Sequence, residues 1–149
     1  MADKYGIQFA IVPIDNEGVK ATPVPAAPVW PIFAAPNIPN NRVEVLYVGM
    51  ACSGVLLVDA ADTAFVSLSF HDASADTDTT LVTGAAGTAG DMKAAYMTVI
   101  REVYTLFNGV QSLDPGDTLN GLVTITTPTT AGDGYYFIVA YRVKEWNGQ

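Results

Sequence analysis

Alternation of apolar and polar positions dominates the chain, and it predicts strands. Residues 42–49 put Val43, Val45 and Tyr47 on one face and Glu44, Leu46 and Val48 on the other. Both faces are largely apolar, so this strand is expected to be covered on both sides. Residues 53–59 hold a continuous run, Val55, Leu56, Leu57 and Val58. Residues 64–71 alternate most cleanly: Ala64, Val66, Leu68 and Phe70 point one way, while Ser67, Ser69 and His71 point the other. Successive side chains of a strand leave opposite faces, so this pattern is what a half-buried strand requires. The links at 50–52 and 60–63 are short, which predicts that these three strands are antiparallel neighbours.

The same signal recurs on either side. Tyr5, Ile7, Phe9 and Ile11 share a face over 5–12, and Pro13, with no amide donor, ends that strand's ladder. Residues 15–18 read as a turn. Residues 79–83 form a short strand, 119–127 a strand with Val123 and Ile125 inward, and 135–143 a last strand with Tyr135, Phe137, Val139, Tyr141 and Val143 on one face. Between them, Asn108-Gly109, Asp114-Pro115-Gly116-Asp117 and Gly132-Asp133-Gly134 are turn sequences. Residues 91–107 carry two signals. Met92, Ala95, Tyr96, Val99 and Ile100 have helical spacing, with Asp91 at a capping position. The β-branched and aromatic content of 98–107 favours a strand. The expectation is a helical turn over 91–97 followed by a strand to Phe107.

One segment breaks the pattern. Residues 22–41 contain Pro23, Pro25, Pro28, Pro31, Pro36 and Pro39 and no charge. Repeated proline favours an extended polyproline II path. Val24, Val29, Trp30, Ile32, Phe33 and Ile38 within it are apolar and seek burial. Two readings are open: a stiff arm lying along its own domain, or an arm that docks on a neighbouring subunit through those six residues. The organisation expected is therefore an N-terminal strand and proline-rich arm over 1–41 and a β-domain over 42–149.

Composition narrows the function. Half of the 149 residues are apolar and 15% are charged, which suits one folded domain. The net charge of -8 argues against nucleic acid as a partner, because phosphate binding needs a basic footprint. It also disfavours anionic membrane surfaces. No apolar run nears the ~20 residues that cross a bilayer, and the start Met-Ala-Asp-Lys-Tyr lacks the basic and apolar regions of a signal peptide. A single cysteine, Cys52, allows no internal disulfide and fits synthesis in a reducing cytoplasm.

Candidate chemistry is sparse. Asp72, Asp76 and Asp78 lie close together, but the spacing lacks the glycine and closing glutamate of a calcium loop, so an acidic surface loop is the preferred reading. Cys52 and His71 are the one thiol–imidazole combination, and free cysteine most often serves as a small buried hydrophobe. One histidine and one cysteine are too few for an ordinary zinc site. The glycines of 84–91 are not followed by the Gly-Lys-Ser/Thr of a phosphate loop. No carboxylate pair stands out. The expectation is no catalytic residue, no cofactor and no metal.

Taken together, Asn41-Arg42-Val43-Glu44-Val45-Leu46-Tyr47-Val48, residues 65–72, Leu113-Asp114-Pro115-Gly116-Asp117-Thr118-Leu119 and residues 134–143 resemble the small virion proteins of tailed bacteriophages, nearest to head decoration or cement proteins. The likeness covers about two-thirds of the chain and is one of texture: strands rich in Ala, Thr, Gly and Val, few charges, an extended arm. It implies an all-β, antiparallel, jelly-roll-like β-sandwich. It also implies a homo-oligomer, often a trimer, on the capsid surface, made in the host cytoplasm and binding the major capsid protein. The competing expectation is a carbohydrate- or receptor-binding β-sandwich of a phage tail or fibre, using Tyr135, Tyr136, Tyr141 and Trp146.

Overall fold

The computed structural model describes residues 6–13, 19–20, 30–36, 40–52, 63–91, 103–126 and 135–145. All the regular elements among them are strands: β1 Gln8–Pro13, β2 Val19–Lys20, β3 Trp30–Ala34, β4 Asn41–Cys52, β5 Thr63–Asp72, β6 Thr77–Val82, β7 Tyr104–Leu113, β8 Thr118–Thr126 and β9 Tyr135–Glu145. They form two sheets. One has the order β1-β9-β4-β7; in the other, β8 lies between β5, which continues to β6, and a side shared by β2 and β3. Every pairing is antiparallel except the two-residue match of β2 with β8.

Four of the seven strand pairings among the described residues are nested, and β4–β9 and β5–β8 join neighbouring limbs between them. β1 pairs with β9, β3 with β8, β4 with β7 and β5 with β6. The chain is thus one long hairpin whose limbs are split between two sheets. A single core draws on both: Val45, Val48, Phe137 and Val139 from the first sheet meet Val66, Leu68, Leu119 and Val123 from the second.

Several expectations hold. β5 buries Val66 and Leu68 while its intervening serines stay partly exposed, and β9 buries Phe137 and Val139. Asp114 to Asp117 is a tight turn: the Asp117 amide donates to the Asp114 carbonyl at 3.0 Å, and Gly116 has φ 94°. Positive φ at the third position, after proline at the second, is the type II pattern.

Other expectations are corrected. The expected row of three antiparallel neighbours, 42–49, 53–59 and 64–71, is not one sheet: β4 lies between β9 and β7, and β5 stands in the opposite sheet between β8 and β6. The pairing of β4 slips between Val45 and Tyr47, where it carries a bulge. Beyond it Val48 and Met50 are inward and Tyr47 is outward, the reverse of simple alternation, because one extra residue in a strand exchanges its faces. Asn108-Gly109 is no turn: β7 runs straight through it. Gly109 is instead accommodated beside the Phe107 ring, where an added Cβ would sit 3.2 Å from Cζ. The segment 84–91 is pinned to β5, with the Val66 amide donating to the Gly90 carbonyl at 2.8 Å. The expected turn at 15–18, the strand at 53–59, the helical turn at 92–97 and the turn at 132–134 lie outside the described residues, as does all of 22–29.

Asp117 ties these parts together and is the one buried polar or charged residue among those described. Its Oδ1 accepts from the Ala73 amide at 3.0 Å and its Oδ2 from the Asp114 amide at 2.8 Å. Its carbonyl accepts from the Ala35 amide at 2.9 Å. One residue thereby joins the β5–β6 turn, the β7–β8 turn and the end of β3.

Candidate functional site

Apolar side chains meet solvent along the two edges of the β1-β9-β4-β7 sheet, while Gly49, Ala51 and Ala140 in the middle of its outer face are buried. Five large apolar residues are exposed among those described: Ile7 60%, Phe9 69%, Ile11 68%, Val103 43% and Val110 62%. All five lie on, or one residue before, the two edge strands of this sheet. β1 turns its smaller residues, Ala10 and Val12, toward the core and its larger ones outward. The register explains how. Ala10 and Val12 are partnered by the inward Val139 and Phe137, whereas Phe9 and Ile11 are partnered by Ala140, which is buried, and the half-buried Ile138 on the other face. Ile7, Phe9 and Ile11, which share a face by alternation, stand in water on that face. Isolated exposed apolar residues need no explanation, but a grouping along sheet edges marks an interaction surface.

Across β4 the same face carries Tyr47, Gly49 and Ala51, with the Tyr47 hydroxyl 3.2 Å from Thr105 Oγ1. Val103 packs over Gly49, where a Cβ would lie 2.7 Å from its Cγ1. Neither edge strand carries a charge: residues 6–13 and 103–113 have none.

Charge is collected farther along the face. Glu44 receives Arg142 Nη2 at 2.6 Å and Lys144 Nζ at 3.2 Å. Burial pushes the Glu44 carboxyl up, but hydrogen bonds from Arg142 and Lys144 and their positive charges outweigh it and hold the group below its ordinary value. Arg42 Nε donates to Asp114 Oδ1 at 2.7 Å, fastening β4 to the β7–β8 turn.

The acidic loop after β5 is built as a turn. Asp72 Oδ1 accepts from the Ser74 amide at 2.8 Å, the Ser74 hydroxyl at 2.7 Å and the Ala75 amide at 3.0 Å. The Ser74 hydroxyl, ahead of the backbone amides, lowers the Asp72 pKa. Asp78 sits 3.1 Å from His71 Nδ1, and Asp76 lies 4.0 Å from Nε2. Asp72 is engaged by its own turn while Asp76 and Asp78 flank His71, and among the described residues no three of His, Cys, Asp and Glu group as a ligand set. Cys52 and His71 are on strands of opposite sheets.

The six arm positions have different places. Ile32 is buried in its own chain's core, and the Phe33 ring lies 4.7 Å from that of Tyr141. β3 is paired along β8, with Trp30 opposite Gly121. Val24, Val29 and Ile38 lie outside the described residues. For Ile32 and Phe33 the contact is therefore within the chain. Of the aromatics considered for sugar binding, Tyr141 is taken up by Phe33 and the core, Tyr136 is half-buried on the outer side of β9, and the Tyr135 side chain and Trp146 lie outside the description.

Sequence reasoning missed the β1 edge as a site. The signal was present in the Ile7-Phe9-Ile11 stripe, but alternation says that a strand has an apolar face and not where that face points.

Compared with protein-family models, curated proteins and solved structures, the chain matches none.

Proposed function

We propose that the chain is a virion structural protein, a jelly-roll β-sandwich that decorates a bacteriophage head shell by binding the major capsid protein. The nested pairing of β1 with β9, β3 with β8, β4 with β7 and β5 with β6 supports the jelly-roll reading, because that fold is a long hairpin wrapped into two facing sheets. Jelly rolls frame viral capsid and lectin domains alike. The observation that carries the assembly role is the collection of exposed apolar side chains along both edges of one sheet, on strands free of charge. A chain with a net charge of -8 keeps itself soluble elsewhere and leaves these edges bare for contact. Val24, Val29, Trp30 and Ile38 remain proposed partner contacts from sequence, whereas Ile32 and Phe33 are committed to their own core. Homo-oligomers, trimers among them, belong to this reading.

The alternative is a carbohydrate- or receptor-binding tip domain. It is weakened by Tyr141, whose ring faces inward.

The test is gradient sedimentation of the full chain with head shells of its source virus. The expected result is saturable co-sedimentation with the shell. Recovery only as free protein, together with specific signal on a glycan array, would overturn the decoration role in favour of the alternative.

A further inference from the structure

We infer that the two edges of the four-stranded sheet join copies of this chain head to tail, β1 of one copy against β7 of the next. The inference deepens the assembly reading by naming the occupant of these edges as a second copy.

Four observations converge. First, the exposed large apolar side chains among the described residues are divided between the two edges: Ile7, Phe9 and Ile11 at β1, Val103 and Val110 at β7. A symmetric β1–β1 contact would leave the valines in water, and a β7–β7 contact would leave Phe9 and Ile11 there. A β1–β7 contact engages both sets. Second, the residues stand on one side of the sheet. Phe9 and Ile11 face outward with Ala140 and Ile138, Val103 lies over Gly49, and Val110 precedes Gln111, whose partner Val45 is inward. A sheet continued from copy to copy would align them as one stripe.

Third, the directions match. β1 is antiparallel to β9, β9 to β4 and β4 to β7, so β1 and β7 run opposite ways. A copy set alongside without being turned over brings its β7 antiparallel to β1, the commoner kind of pairing. Fourth, neither edge carries a charge, although Pro13 ends β1 and the β4–β7 pairing is bulged. Edge strands are ordinarily blunted with lysine or other charges, yet residues 6–13 and 103–113 hold none. Two chains each of charge -8 can therefore approach there without placing like charges in the contact. A head-to-tail contact closes into a ring when the rotation per copy allows it.

The experiment is light scattering after size exclusion on the full chain and two edge variants, Phe9→Lys/Ile11→Lys and Val110→Lys. The parent is expected to have the mass of three or more copies. Each variant alone should fall to the mass of one copy with an unchanged melting profile. An equimolar mixture of the two should form a dimer, because the intact β1 of one variant meets the intact β7 of the other. Should the lysine pair fail to fold, Phe9→Thr/Ile11→Thr takes its place. A monomeric parent, a Val110→Lys protein of parental mass, or a mixture no heavier than its components would overturn the inference. A monomer that still sediments with shells sinks this contact and leaves the decoration role standing; an oligomer that ignores shells does the reverse.

Discussion

Gly121 of β8 lies directly beneath Ile32 of β3: a Cβ at Gly121 would stand 3.0 Å from Ile32 Cγ1 and 3.2 Å from Phe137 Cζ. The absent side chain is what lets the end of the proline-rich segment close over the core. Gly121→Ala should therefore destabilise the fold by about 1–3 kcal/mol, the usual cost of overpacking. Urea denaturation followed by tryptophan fluorescence measures it. A midpoint equal to the parent's would mean that Ile32 is not held there.

The core makes a graded prediction. Phe137 is fully buried, whereas Phe70 is only partly so and packs at the core margin. Phe137→Ala should cost about 3–5 kcal/mol and Phe70→Ala distinctly less. Equal losses in paired thermal melts would contradict the difference in burial.

Asp117 offers a test of the loop junction. Asp117→Ala removes both carboxylate acceptors from the Ala73 and Asp114 amides. Both hydrogen bonds are part-buried, and water can reach the freed amides, so the substitution should cost about 1–3 kcal/mol in all, read as a lower urea midpoint. Asp117→Asn keeps one acceptor and should recover part of the loss.

Glu44 sets a pH dependence. Its pKa is lowered in the folded protein from an ordinary value of 4.5. The stabilisation it contributes is complete above that value and fades as pH falls through the lower, folded one. Melting temperature should accordingly drop on acidification below about 4.5 more steeply in the parent than in Glu44→Gln. Parallel curves for the two proteins would show that the Arg142 and Lys144 contacts are not maintained in solution.

Strand existence was legible in the sequence, because alternation along β5, β8 and β9 coincides with burial along them. Sheet partnership was not. Short links suggested that 42–49, 53–59 and 64–71 pair in succession, yet β4 pairs with the distant β9 and β7, and β5 pairs with the distant β8 as well as with β6, which follows it. Local pattern also missed the bulge after Val45, since an inserted residue changes facing without changing composition. The Asn108-Gly109 pair was read as a turn on propensity alone, whereas β4 holds it extended. The candidate site was legible as a stripe on β1 but not as a surface: the direction of that stripe is decided by the register with β9, hydrogen-bonded more than a hundred residues away.

The nested pairing also grades the closures by length. β5 and β6 are separated only by residues 73–76, so their hairpin closes a short loop, while β1 and β9 must bring the two ends of the chain together. Closure entropy grows with the enclosed length, and folding slows as contacts become less local. The strand that carries Phe9 and Ile11 therefore rests on the longest closure in sequence of any pairing among the described strands, and a β1 from another copy could meet the same flank of β9 in the same register.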